Sequence, residues 1–125
     1  MRLVAGSWFN PATSGQGFFI EIVPSLEAMV LAWFTWGQTA GDHFWLTGLG
    51  PLTPNGATVD LSRASGGRFN DVAPVAAQNA GRATLHFTDC THGTVTFLRT
   101  DTGESGTIPI RRLTPAPEAC PASGA

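Results

Sequence analysis

Apolar and polar residues alternate with a period of two along most of this chain. Ala57, Val59 and Leu61 alternate with Thr58, Asp60 and Ser62. Ala83, Leu85 and Phe87 alternate with Thr84, His86 and Thr88, and Val95, Phe97 and Arg99 with Thr94, Thr96 and Leu98. Phe18, Ile20 and Ile22 share one face of another segment, Phe19, Glu21 and Val23 the other. Ile108 and Ile110 flank Pro109, which tolerates a site with no ladder donor. A period of two is the signature of half-buried strands. Residues Ala28 to Trp36 are apolar almost throughout, which a buried helix would also satisfy. Aromatic and β-branched content, short length and flanking turns favour a strand.

Turn residues separate these runs. A first strand from Leu3 to Phe9 stops at Pro11, and Ser14-Gly15-Gln16-Gly17 reverses the chain. Pro24 ends the second strand. Gly37 to Asp42 forms a hairpin loop, and His43 to Leu49 returns. Gly50-Pro51 and Pro54-Asn55-Gly56 mark the next loop. The longest connection spans 64–81, where Asp71 to Gln78 is suited to one or two helical turns capped by Asp71. A connection of that length reads as a lid or plug. About eight short strands predict an all-β fold, an antiparallel up-and-down barrel of about eight strands, with a β-sandwich as the alternative. Such a barrel is filled by its side chains or holds one small ligand. Residues 1–114 form the single domain, and 115–125 a Pro/Ala-rich tail.

Composition narrows the partners. The 125 residues carry 13% charged side chains and a net charge of −2. That charged fraction is about half the usual quarter, and it leaves no basic footprint for nucleic acid. No run is long enough for a membrane span. The segment Met1 to Ala5 is too short for a secretory leader. Cys90 and Cys120 are the two cysteines. A bridge between them would pin the tail and contribute roughly 3–4 kcal/mol by loop closure. It implies an oxidising compartment, periplasmic or extracellular. The bland alternative is two free thiols.

Gly6-x-Trp8 on the first strand, with Arg111-Arg112 on the last, resembles the calycin barrels, the lipocalins and avidins. The resemblance implies that Trp8 packs under an arginine from the final strand and closes the barrel floor. A second resemblance covers most of the chain. Gly6, Trp8, Asn10, Pro11, Ser14, Gly15 and Gly17 match the opening of a domain found in bacterial exported proteins of unknown function. Trp33 to Trp36, Trp45-Leu46, Phe87 to Cys90, Arg112 to Thr114 and Cys120 match its later motifs, with Trp36 standing where that family usually has Tyr. This resemblance implies export and the disulfide, and it brings no activity.

Trp8, Trp33, Trp36 and Trp45 offer indoles for an apolar ring or a sugar face. Trp33 and Trp36 differ by an odd number, so at most one points inside. Glu21 and Asp60 are the acids within strands, and a glycosidase-like pair is the catalytic alternative. His43, His86 and His92 lack ligand spacing, and Asp89-Cys90-Thr91-His92 is a weak metal or thiol motif, so no metal and no cofactor is expected. The expectation is a non-catalytic, exported binding module for a small apolar ligand or a glycan. Trp33, Trp36, Phe44, Trp45 and Glu21 are its contacts. The alternative is a secreted protein-interaction domain such as a protease inhibitor.

Overall fold

The period-two alternation becomes the inside and outside of a barrel. The computed structural model describes residues 2–120. Eight antiparallel strands follow one another in sequence order and close on themselves. They are β1 Gly6–Phe9, β2 Gly17–Val23, β3 Ala28–Trp36, β4 His43–Thr53, β5 Gly56–Ser65, β6 Ala76–Phe87, β7 His92–Leu98 and β8 Ser105–Arg112. Short 3-10 turns occupy Arg2–Val4, Pro11–Thr13 and Pro24–Leu26. The barrel, and not a sandwich, is the architecture. Met29, Leu31, Leu46, Val59, Leu61, Leu85 and Val95 fill its axis, each fully buried.

At one end, the floor, Arg112 lies 4.9 Å from the centre of the Trp8 ring. Its Nε donates to the Cys90 carbonyl at 2.8 Å and its Nη1 to the Ala5 carbonyl at 2.8 Å. Its Nη2 donates to the Leu3 carbonyl. Burial holds this guanidinium below its ordinary pKa. The Trp8 indole donates to the Val4 carbonyl at 2.8 Å. Gly6 makes this possible: a Cβ there would stand 2.7 Å from Arg112 Nη1, and its φ of +133° disfavours any other residue. The Cys90–Cys120 disulfide, with Cα atoms 6.0 Å apart, ties the tail to this floor. Arg111 faces outward and is exposed. Residues 121–125 of the tail lie outside the described residues.

Three expectations change. The first strand begins at Gly6, not Leu3, because the carbonyls of Leu3, Val4 and Ala5 are turned toward Arg112 and Trp8. β4 runs through Gly50-Pro51 to Thr53; Pro51 falls between the Leu49↔Asp60 and Leu52↔Ala57 pairs with β5, whose register is the same on both sides. The long connection is 66–75 rather than 64–81, and no helical turn forms at 71–78, because Ala76 to Gln78 pair with Ser65 to Arg63. A bulge at Ala80 permits this extension, with Gly81 at φ +121° and its N–H held by Asn79 Oδ1 at 3.0 Å.

Candidate functional site

Two sets of aromatic side chains leave the same strands in opposite directions. Trp33 points inward and is buried, 5.0 Å from the Phe18 ring and 5.4 Å from Phe97. Phe44 also points inward, at the end opposite the floor. There it lies between two guanidiniums, Arg63 at 4.2 Å and Arg99 at 4.7 Å from its ring centre. Arg99 donates to both carboxylate oxygens of Asp101, at 3.1 and 2.6 Å. Arg63 stands 3.9 Å from Asp101, and Glu104 3.8 Å from Arg99. Two cations and two carboxylates thus plug the rim with balanced charge, over an aromatic ring.

The outward set is different. Phe19 on β2 meets Phe34 on β3 edge-to-face at 5.3 Å. Phe34 sits opposite Trp45 of β4 in the ladder, and Trp36 opposite His43, at 6.1 Å between rings. Phe34, Trp36 and Trp45 are 41%, 46% and 53% exposed. The Trp36 indole covers Gly15, where a Cβ would lie 3.3 Å from it; Gly15 also has φ +99°. Beside these rings runs a groove of about 450 Å³, lined by Phe9, Gly15, Gly17, Phe19, Phe34 and Leu113. Gly17 lets β2 approach β1 closely here, since a Cβ there would stand 2.9 Å from the Trp8 carbonyl.

The barrel wall therefore divides the five residues expected to contact ligand. Trp33 and Phe44 lie inside; Trp36, Trp45 and Glu21 lie outside. Glu21 and Asp60 are both outward, on β2 and β5, with β3 and β4 between them. Asp60 pairs instead with Arg82 at 3.3 Å. Cys90 is in the disulfide, and Asp89 serves its own turn. Its Oδ1 accepts from Thr91 N at 2.7 Å, Thr91 Oγ1 at 2.8 Å and His92 N at 2.8 Å. These bonds, Thr91 first, lower its pKa to about 2. Among the described residues no three His, Cys, Asp or Glu side chains are grouped to hold a metal.

Sequence reasoning passed over Phe9, Phe19, Phe34 and Leu113, and the Arg63–Phe44–Arg99 stack. The signals were present: Phe19 shares its face with Glu21, Phe34 with Trp36, and Arg63 continues the inward series Ala57, Val59, Leu61. No family model, no curated protein and no solved structure matches this chain.

Proposed function

We propose that this protein is a non-catalytic binding module that holds a small apolar ligand on its outer wall, in an oxidising compartment outside the cytoplasm. The observation that carries this reading is the half-exposed aromatic band of β2, β3 and β4, with a groove of about 450 Å³ beside it. That volume lies within the range of small-molecule sites. Apolar area left exposed on this wall gains roughly 25 cal/mol per Å² when a ligand covers it, and the outward Arg111 beside Phe9 is the charge at its edge. The barrel axis, by contrast, is occupied by side chains. The disulfide supports the compartment. A glycan is the second reading, favoured by Trp45, whose indole stands beyond the groove and suits a sugar face.

Titration with 1-octanol, followed by Trp fluorescence, tests the reading. Phe34→Ala is expected to weaken binding about tenfold, which corresponds to about 1.4 kcal/mol. Equal affinity of wild type and Phe34→Ala overturns the groove assignment.

A further inference from the structure

The barrel is closed along only part of its seam. β1 has four residues, and its pairing with β8 consists of Trp8↔Arg112 and Phe9↔Arg111, with Leu113 N donating to the Ser7 carbonyl at 2.8 Å. β8 begins seven residues before Arg112, at Ser105. The chain leaves the seam at Asn10 and enters the Pro11–Thr13 turn, whose first N–H is capped by Asn10 Oδ1 at 3.1 Å from Ala12 N. Most of β8 is thus left without β1 beside it.

The phase of the ladder says which groups face that gap. Arg112 N donates to the Thr91 carbonyl at 2.9 Å, so even-numbered positions of β8 bond to β7. Ser105, Thr107 and Pro109 therefore turn their main-chain polar groups the other way, toward the open flank. All three are exposed. Pro109 fits this phase, since its missing N–H is on the side with no ladder. Among the described residues no main-chain hydrogen bond joins 10–16 to 105–109. Next to the flank lies a recess of about 120 Å³ with Phe18, Trp33 and Ile108 at its base and Asn10, Thr13 and Gln16 on its far bank. Gln16 Oε1 is taken by Thr35 and Asn10 Oδ1 by Ala12, which leaves both amide nitrogens as donors.

We propose that the open flank of β8 is a strand-addition site for an extended segment of a partner polypeptide, which seats one apolar side chain in the recess. The added strand would bond to Ser105 and Thr107 and to the Pro109 carbonyl, with alternate side chains facing in and out. The recess is too small for most ligands but suits one aliphatic side chain of a peptide. Residues 105–109 carry no charge, so the part of the partner segment that pairs with them is an alternating, β-branched and apolar stretch. A second copy of β8 does not fit as well. Its Ile108 and Ile110 are turned into its own barrel, so it has nothing to fill the recess, and Pro109 would remove a donor from each strand.

The test is selection of a random nonapeptide library on the disulfide-bonded protein. Thr107→Pro removes the one N–H at the centre of the flank and leaves the main-chain bonds to β7 in place, at the loss of the exposed side-chain bond to Thr96 Oγ1. The expected result is a set of alternating peptides that bind wild type at least tenfold more tightly than Thr107→Pro and slow exchange of the Thr107 amide. Equal binding to both proteins, or no peptide specific to wild type, overturns the proposal. So does dimerisation of wild type that Thr107→Pro abolishes, which would give the flank to a second copy. If Thr107→Pro does not fold, N-methylation of the selected peptide decides the matter. Methylation at the residues facing β8 must cost at least tenfold, and unchanged binding overturns the assignment.

Discussion

Single residues do three separable jobs here. Gly6 lets a guanidinium reach across the floor. Gly6→Ala must both adopt a positive φ and displace Arg112, so it is expected to cost about 1–3 kcal/mol, read as a fall in the urea midpoint. Trp45 does the opposite kind of work. Its ring is half exposed, so Trp45→Ala is expected to cost about 1–2 kcal/mol, less than truncating a buried Trp. It should weaken glycan binding if the second reading holds. Asp89 gives a pH signature. Its folded pKa of about 2 lies below its ordinary 3.8, so the folded protein holds fewer protons than the unfolded chain between those values. The stabilisation is complete above about pH 5 and is lost as pH falls through about 2. Denaturation midpoints of Asp89→Asn should lack that part of the acid dependence, and an unchanged acid limb would contradict the assignment. Residue roles were legible where one side chain acts through a fixed partner type. Trp8 and a final-strand arginine were foreseen together; Leu113 in the groove was not, because it follows the last strand and its neighbours across the seam, on β1, are remote in sequence.

At the scale of elements, strands were legible wherever one face is buried and the other is wet. β5, β7 and the second half of β6 stand where the alternation placed them. The first half of β6 did not show itself. The bulge at Ala80 shifts the phase, and Ala76 to Asn79 stand clear of the core, so no alternation marks them. β4 hid its second half behind Gly50-Pro51, which reads as a stop until their pairing with Met29 and Ala28 of β3 is seen. The connection 66–75 carries Phe69 and Val72, both almost wholly exposed, between Gly66 at φ +86° and β6. With so little to hold it, this segment should exchange its amides fastest of any inter-strand connection and be the first site of limited proteolysis. Cleavage first within β1 to β4 would contradict that ranking.

For the whole molecule, the disulfide and the arginine floor act on the same end. Replacing Cys90 and Cys120 by Ser is expected to cost roughly 3–4 kcal/mol in denaturant, since the bridge spans a sequence separation of 30. The fold was legible as a barrel because eight strands at even spacing leave few other closures. What was not legible is which wall carries function. A run such as Ala28 to Trp36 is apolar on both faces, and only the register separates buried Trp33 from exposed Trp36 and Phe34. The central claim, that ligand is held on the outside of a filled barrel, is tested most directly by the four indole N–H signals in the NMR spectrum during 1-octanol titration. Trp36 and Trp45 report the outer wall, Trp8 and Trp33 the interior. The account predicts that the Trp36 signal shifts at saturation while those of Trp8 and Trp33 stay in place. A shift led by Trp33 would contradict it and put the ligand inside the barrel.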